Sequence, residues 1–348
     1  MMDLKIFKQE FDPILIDFIE KKRKKLKIYK NQDLIHNLSH LTKLLESGKR
    51  IRPYLSFLSY KAYGGTENKA VIELLIFLEI FHMFCLVHDD IMDKSGYRHN
   101  VKTMQEFAKS NITFSSDKTH YGESIAILVG DFLLAWAFEI LLKNKKFKNE
   151  IEERIRNIFF KLIEEVIIGQ FLDVNTSSRN DVSQAEIFQK TTLKTAGYSF
   201  AWPMIIGASL VKDVEQDKFL NKFGLYLGMA FQIQDDLFDI IYDGTQLKKS
   251  SFNDMEQHQH TIFTNYILDK GRKDQREIIK EHWGKKINFN DKVMLRKVFK
   301  ESGAIEYGKS LIEVNLKKAK SILKEASLPK EYNKTFLDFI DLISRRSY

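Results

Sequence analysis

The chain is poor in the residues that build cross-linked or strand-rich proteins. Cys85 is its one cysteine, which excludes an intrachain disulfide and a cysteine-ligated zinc fold and fits a reducing compartment. Four prolines and 16 glycines stand in 348 residues, well below the usual shares of about 5 % and 7 %. This scarcity argues against an all-β or collagen-like chain and favours long helices.

Long uninterrupted apolar runs are also missing. The most apolar stretch, residues 72–87, contains Glu73, Glu79 and His82, and it predicts a buried core helix rather than a membrane span. Residues 1–20 alternate charged and apolar side chains without the pattern of a signal peptide. We therefore expect a soluble, cytoplasmic protein with no stable membrane insertion.

Charge of one sign does not dominate the chain. Lys and Arg number 55 and Asp and Glu 47, a net charge of +8. This mild excess suits an anionic ligand or a membrane surface and does not by itself indicate nucleic acid, so we expect no nucleic-acid partner. The basic cluster at residues 21–27 is interpreted as a solvated helix face, with a membrane-docking surface as the alternative.

Helical periodicity runs through almost the whole chain. Apolar residues recur at spacings of three and four, and strand-like alternation is rare. The breaks carry turn residues, among them Gly64-Gly65 and Leu328-Pro329, and none is long enough to be a domain linker. We expect one all-α domain over residues 1–348, without internal repeats.

Two short acidic motifs resemble each other. Residues 89–93 read D-D-I-M-D and residues 235–239 read D-D-L-F-D, each at the end of an apolar helical pattern. The first and last Asp of each motif share one helix face, where they repel each other and oppose the helix dipole. Oxygen ligands of this kind suit Mg²⁺ completed by substrate phosphates. Alternatively, each motif is an acidic helix end that faces water.

Several cations and polar residues are candidates for binding phosphate. Residues 48–53 read G-K-R-I-R-P and place cations at the start of a helix, which is an anion site. His82 lies two turns before Asp89 on the same face, although it could equally be a core histidine. Lys194 stands in an apolar helix, where a charge is costly without an anionic partner. The remaining candidates are Arg98, Thr195, Gln232 and Lys249.

Together these segments resemble the trans-isoprenyl diphosphate synthases, the polyprenyl synthetase family. The resemblance covers about residues 40–346. Its motifs are G-K-R-I-R-P at 48–53, H-x-x-x-x-x-H-D-D-I-M-D at 82–93, G-D at 130–131, G-Q-F-L-D at 169–173, K-T at 194–195 and F-Q-I-Q-D-D-L-F-D at 231–239. It implies an all-helical isoprenoid synthase fold around a deep central cavity, and a homodimer.

The resemblance also implies roles for individual residues. Asp89, Asp93 and Asp235 would contact Mg²⁺, supported by Asp90, Asp236 and Asp239. Isopentenyl diphosphate would be bound by Lys49, Arg52 and His82, with Arg346 closing over it. The allylic substrate, which is dimethylallyl, geranyl or farnesyl diphosphate, would be bound by Arg98, Lys194, Gln232 and Lys249. Thr195, next to Lys194 in the K-T motif, is a further substrate-binding candidate.

Two segments depart from the family pattern. Where the family has Arg-Arg-Gly after the first acidic motif, this chain has Arg98-His99-Asn100, so His99 replaces an arginine that binds isopentenyl diphosphate. Where the family often has a Gly-Lys-Lys-Thr-like segment, residues 258–261 read H-Q-H-T. These departures concern the affinity for the second substrate and leave the metal ligands unchanged.

The resemblance implies a Mg²⁺-dependent prenyltransferase that joins isopentenyl diphosphate to an allylic diphosphate, and the acidic and basic residue types present suit that chemistry. A class I terpene cyclase would need no isopentenyl site, and its second motif would be of the N-D-x-x-S-x-x-x-E kind. A metal phosphohydrolase would explain His88-Asp89 but not residues 231–239. A non-catalytic subunit of a heteromeric synthase would be expected to lose one acidic motif, and both are intact.

Product length is predicted from the helix that ends in the first acidic motif. In the resembling family, an aromatic residue at the fifth position before the motif marks short products. Phe84 holds that position, Phe81 lies one turn further back, and the smaller Cys85 follows Phe84. We expect Phe84 and Phe81 to form the floor of the chain-length pocket, with geranylgeranyl diphosphate slightly ahead of farnesyl diphosphate as product. Alternatively, both rings are ordinary core packing.

Overall fold

The computed structural model describes residues 3–113, 116–214, 218–242 and 251–344. The chain is organised as two compact units, Met1–Arg156 and Asn157–Tyr348. The expectation of one domain over residues 1–348 stays a prediction.

The all-α class predicted from the sequence is confirmed. The described residues are overwhelmingly helical, and their helices are α1 (Leu4–Leu26), α2 (Gln32–Glu46), α3 (Ile51–Ala62), α4 (Asn68–Met92), α5 (Met104–Asn111), α6 (Lys118–Lys143), α7 (Asn149–Ser177), α8 (Gln184–Thr191), α9 (Trp202–Ser209), α10 (Lys218–Ile241), α11 (Asn253–Glu256), α12 (Ile262–Lys270), α13 (Lys273–His282), α14 (Phe289–Glu301), α15 (Ala304–Glu325) and α16 (Lys330–Ser344). A 3-10 turn, Lys27–Tyr29, follows α1, and a π-helical segment, Thr192–Ala201, joins α8 to α9.

The core of the first unit is built on α4. This helix packs against α6, α3 and α1, and Phe77 and Phe81 have no solvent exposure. Both α4 and α6 are long and apolar enough to cross a membrane by length and composition alone, but α4 buries 67 % of its most apolar window within the protein. Residues 72–87 are therefore a core helix, as the sequence predicted.

A two-stranded hairpin follows α4, where the periodicity predicted no strand. Strands β1 (Tyr97–Arg98) and β2 (Val101–Lys102) pair antiparallel, with Arg98 opposite Val101. The two turn residues, His99 and Asn100, have φ of 49° and 65°. Positive φ at both positions is the requirement of the type I′ turn, whose twist matches that of the flanking strands. Strands of two residues are too short to produce an alternation of apolar and polar residues, so apolar periodicity does not predict them.

The second unit is centred on α10, which packs against α15 and the π-helical segment. Apolar periodicity over residues 183–210 predicts one continuous helix. The structure instead changes to π-helical geometry between Thr192 and Ala201. Pro203 lies in the first turn of α9 and has no N–H to donate to Ser199, so regular α-helical bonding cannot continue across it. Such π-helical turns are frequent at functional sites.

Candidate active site

The first acidic motif occupies the last turn of α4. Asp89 and Asp93 are partly exposed, whereas Asp90 is 2 % exposed and accepts a two-pronged contact from Arg98, whose Nη2 lies 2.7 Å from Asp90 Oδ1. Burial raises the pKa of Asp90, and the Arg98 guanidinium opposes that rise. Gln105 donates to the backbone carbonyls of Asp90 and Ser95 at 2.9 and 2.8 Å. Asp90 therefore fixes Arg98 and the hairpin beside the motif.

The G-K-R-I-R-P segment divides its cations between two roles. Arg50 is 1 % exposed; its guanidinium donates to Glu79 Oε1 at 2.7 Å, to Asp12 Oδ1 at 2.6 Å and to a backbone carbonyl. A Cβ at Gly48 would lie 1.9 Å from Arg50 Nη1, so this glycine makes room for the buried cation. Arg50 is thus part of the core, and only Lys49, which is exposed, and Arg52, which is half-buried, face other partners.

The structure brings Arg52 and His82, two of the predicted isopentenyl diphosphate ligands, together with His99. Burial lowers the pKa of His82 well below its usual value, and the positive charges of Arg52, Arg98, Arg50 and His99 lower it further. His82 is therefore a neutral imidazole within a cluster of cations. A cluster of this kind attracts an anion, and the charge of a bound diphosphate would relieve the repulsion within it.

The second acidic motif occupies the last turns of α10 and is joined to the π-helical segment. Thr195 donates to Gln232 Oε1 at 2.9 Å, and Gln232 donates in turn to Asp236 Oδ1 at 2.7 Å. Asp235 is exposed. Burial raises the pKa of Asp236 to about 7, although the Gln232 hydrogen bond opposes the rise.

Asp254 is a carboxylate of this site that the sequence did not reveal. Asp239 accepts backbone N–H groups from Asn253 and Asp254, both at 3.0 Å, and the Asn253 amide at 2.9 Å. Burial raises the pKa of Asp254 well above its usual value, and the negative charges of Asp239, Asp236 and Asp235 raise it further. No sequence motif marks Asp254, because its position beside the second acidic motif depends on the packing of α11 against α10.

Asp173 and Lys190 were likewise missed, although Asp173 ends the G-Q-F-L-D motif. Asp173 Oδ2 accepts Lys194 Nζ at 2.5 Å and Oδ1 lies 2.9 Å from Lys190 Nζ, and these two ammonium groups lower the pKa of Asp173 against the effect of burial. A Cβ at Gly169 would lie 2.5 Å from the backbone nitrogen of Lys194, so Gly169 permits this close approach of α7 to the π-helical segment.

Arg98 and Lys194 have matching environments in the two units. Each contacts a carboxylate that is almost fully buried, Asp90 or Asp173, while each cation keeps 26 % of its side chain exposed. A buried carboxylate therefore orients each cation and leaves part of it accessible to a ligand.

The H-Q-H-T segment at 258–261 has a structural role. His258 Nδ1 contacts the Ser177 carbonyl at 2.6 Å, and His260 Nε2 contacts the Arg179 carbonyl at 2.8 Å. Both rings pack on Trp283 with centroids 4.5 and 4.4 Å away. Lys190 donates to the His260 carbonyl at 3.2 Å. The segment thus fixes the C-terminal end of α7.

Phe84 and Phe81 differ in accessibility. Phe81 has no exposed surface, whereas Phe84 is half-buried and lies between Phe81 and His88, with ring centroids 5.5 and 4.7 Å away. Of the two rings proposed as a floor, only Phe84 presents a surface to a ligand. The predicted ligands Lys249 and Arg346 lie outside the described residues.

The donor set fits Mg²⁺. All candidate ligands are carboxylate oxygens, and the buried members of the second motif repel one another, which a cation would relieve. Within the part of the chain that the structure describes, no group of three or more His, Cys, Asp or Glu side chains is placed to hold a metal ion by itself. Mg²⁺ is usually bound through one or two carboxylates together with substrate phosphates.

Comparison with known proteins agrees with this chemistry. Residues 33–301 match the family model described as Polyprenyl synthetase. A geranylfarnesyl diphosphate synthase of Aeropyrum pernix is 30 % identical over 309 residues, covering 86 % of this chain and 90 % of its own. A geranylgeranyl diphosphate synthase of Saccharolobus solfataricus is 33 % identical over 242 residues, covering 69 % and 68 %.

A solved structure is similar over almost the whole length. The crystal structure of a geranylgeranyl pyrophosphate synthase from Corynebacterium glutamicum, complexed with isoprenyl diphosphate and magnesium, aligns with a TM-score of 0.92 and 25 % identity over 99 % of this chain and 100 % of its own. The chain therefore belongs to the polyprenyl synthetase family and is a trans-prenyltransferase. The terpene cyclase, phosphohydrolase and non-catalytic alternatives are less well supported than this assignment.

Proposed function

We propose that the protein condenses isopentenyl diphosphate with an allylic diphosphate and makes a short-chain prenyl diphosphate, geranylgeranyl diphosphate ahead of farnesyl diphosphate. The observation that carries the proposal is the coexistence of two acidic helix ends with separate cation clusters. His82, Arg52 and His99 form the cluster for one diphosphate, and Lys194, held by Asp173, belongs to the site for the other. A cyclase would not need the first cluster.

The metal in this proposal is Mg²⁺, held by Asp89, Asp93 and Asp235 and supported by Asp90, Asp236 and Asp239. When bound, it would neutralise charge on the leaving diphosphate of the allylic substrate. Arg98 and Lys194 add positive charge at the same leaving group, and the buried carboxylates behind them fix their direction.

The remaining chemistry needs orientation rather than a protein nucleophile. Lys49, Arg52 and His82 hold isopentenyl diphosphate so that its double bond faces C1 of the allylic substrate. The C1–O bond breaks, a bond forms between C1 and the terminal alkene carbon, and a proton leaves to a diphosphate oxygen. The product is one isoprene unit longer, and inorganic diphosphate is released. Arg346 and Lys249 are proposed as further diphosphate ligands.

A homodimer is proposed as the working form. In the second unit, α7 exposes Phe160, Ile167, Phe171 and Val174, which are 51, 54, 69 and 49 % exposed and recur at spacings of three, four and seven. Such a stripe along a helix is suited to packing against an equivalent helix of a second copy. The location in the cytoplasm stays a prediction.

The proposal is tested by incubating the purified protein with Mg²⁺, isopentenyl diphosphate and each allylic primer, and identifying the products. Asp89→Ala and Asp235→Ala should each lower turnover by about 100-fold or more. Asp338→Ala, which removes an exposed carboxylate on α16, is the matched control. Retention of most activity in both motif variants, or full activity in EDTA, would overturn the metal assignment. A hydrocarbon made from the allylic substrate alone would favour a cyclase.

A further inference from the structure

The C-terminal end of α1 and the turn after it carry charge of one sign. Residues 21–30 read K-K-R-K-K-L-K-I-Y-K, with seven cations and no acid. The preceding turns of α1 are mixed, with Glu10, Asp12, Asp17 and Glu20 among their residues. We refer to residues 21–30 as the basic end of α1. Cations in the last turn of a helix stabilise the helix by interacting with its dipole, but one or two cations suffice for that effect.

Only part of this charge is neutralised within the protein. Lys21 lies 2.6 Å from Asp17, Arg23 pairs with Glu20, and Lys22 pairs with Glu139 of α6. The other four cations, Lys24, Lys25, Lys27 and Lys30, are all exposed, and none pairs with a carboxylate anywhere in the described ranges of the chain. The basic end of α1 therefore presents four cations to solvent.

Two large apolar side chains are exposed among these cations. Ile28 is 70 % exposed and Tyr29 is 67 % exposed, and both lie between Lys27 and Lys30 in the 3-10 turn. They do not continue the buried stripe of α1, which consists of Phe7, Phe11, Leu15 and Ile19. Neither the packing of α1 nor its dipole accounts for their exposure.

We propose that the basic end of α1 docks the protein on the surface of an anionic lipid bilayer. Clustered Lys and Arg residues bind anionic headgroups through charge, and a neighbouring Ile and Tyr enter the interface between headgroups and acyl chains. A nucleic acid would use the cations but gains nothing from an exposed isoleucine, so the pair Ile28 and Tyr29 favours the bilayer. The solvated face that the sequence predicted for residues 21–27 is thus assigned a partner in this proposal.

The test is co-sedimentation of the full chain with vesicles of phosphatidylcholine alone or mixed with phosphatidylglycerol. We expect binding to the mixed vesicles only, weakened by added salt. The variant Lys24→Gln/Lys25→Gln/Lys27→Gln should bind ~100-fold more weakly, at ~5-fold per cation. Ile28→Ser/Tyr29→Ser should weaken binding at every salt concentration, because it removes the apolar contribution.

The control lies in the second unit at the junction of α12 and α13. Lys270, Arg272 and Lys273 are exposed cations, but each lies within 3.9 Å of a carboxylate. The variant Lys270→Gln/Arg272→Gln/Lys273→Gln removes the same number of charges and should leave vesicle binding unchanged.

An equal loss of vesicle affinity in the two triple variants would show that net charge alone determines binding, and it would overturn the proposal. So would absence of vesicle binding, with or without binding of duplex DNA. Prenyltransferase activity in detergent-free solution should be the same in all these variants and the parent, which would show that each variant is folded. Vesicle binding is measured separately from this activity, so the outcome of the docking test is distinguishable from that of the test of the proposed function.

Discussion

The buried pair of Arg50 and Glu79 is the residue-scale feature on which the first unit most depends. Arg50 has no exposed side-chain surface and Glu79 has 3 %, and their charged atoms are 2.7 Å apart. Desolvation of two such charges is tolerated because the guanidinium is hydrogen-bonded on several sides. Among the residues that the structure describes, removal of Glu79 leaves the buried Arg50 with one remaining carboxylate contact, to the partly exposed Asp12, and removal of Arg50 leaves Glu79 buried without a cation.

We expect Glu79→Gln to lower the free energy of unfolding by about 3–5 kcal/mol. The exposed pair of Asp17 and Lys21, with side chains 60 % and 74 % exposed, supplies the control. Asp17→Asn should change the stability by no more than ~0.5 kcal/mol. Urea titration followed by circular dichroism measures both. Similar small changes in the two variants would show that Asp12 alone compensates the buried charge of Arg50.

Phe84 is the residue-scale determinant proposed for product length. Phe84→Ala removes a half-buried ring next to the first acidic motif and should allow at least one further isoprene unit in the product. Phe81→Ala removes a fully buried ring and should instead cost about 3–5 kcal/mol of stability with little change in product length. Product chromatography and thermal unfolding of both variants test this. An unchanged product distribution from a folded Phe84→Ala enzyme would exclude Phe84 as the floor.

At the scale of elements, the β1–β2 hairpin presents His99 to the cation cluster around His82. Its turn needs positive φ at His99 and Asn100, and asparagine tolerates that conformation better than most residues other than glycine. The position of His99 therefore depends on the residue that follows it.

We expect Asn100→Ala to raise the Michaelis constant for isopentenyl diphosphate, because a left-handed alanine costs about 1–2 kcal/mol and disfavours the turn. Asn100→Gly keeps the turn and should leave that constant nearly unchanged. His99→Arg should lower it, since the guanidinium of arginine can form two parallel hydrogen bonds to a diphosphate and an imidazole cannot. Steady-state kinetics with each substrate varied separately give the comparison. An equal change in the Michaelis constant for the allylic substrate would argue against this role of the hairpin.

At the scale of the whole molecule, the exposed stripe of α7 predicts how copies of the chain associate. Phe171→Glu places a charge in the middle of the stripe and should convert a dimer into a monomer, because a buried unpaired charge is costly. Phe289→Glu is the matched control, since Phe289 is 74 % exposed but lies on α14, outside the stripe of α7. Light scattering coupled to size-exclusion chromatography measures the mass. A dimer that survives Phe171→Glu would place the interface elsewhere.

Much of this protein follows from its sequence. Apolar periodicity determined the all-α class, and residues 72–87 indicated a core helix because this apolar run is short and contains Glu73, Glu79 and His82, which disfavours a membrane span. The acidic motifs are contiguous, so their helical spacing could be read directly. The same holds for Gln232 and Asp236, which are one turn apart and hydrogen-bonded in the structure.

Other features were decided only by the tertiary structure, because they join residues that are distant in the chain. The sequence could not show that Arg50 is paired with Glu79 and Asp12, and so is unavailable to substrate. Nor could it show that Asp173 holds Lys190 and Lys194, or that Asp254 adds a carboxylate to the second motif. In each case burial determines the role of the charged side chain. A solvated charge is available to a ligand, whereas a charge buried against a residue of another helix is held in place by that residue. The local sequence does not show which helix supplies the partner.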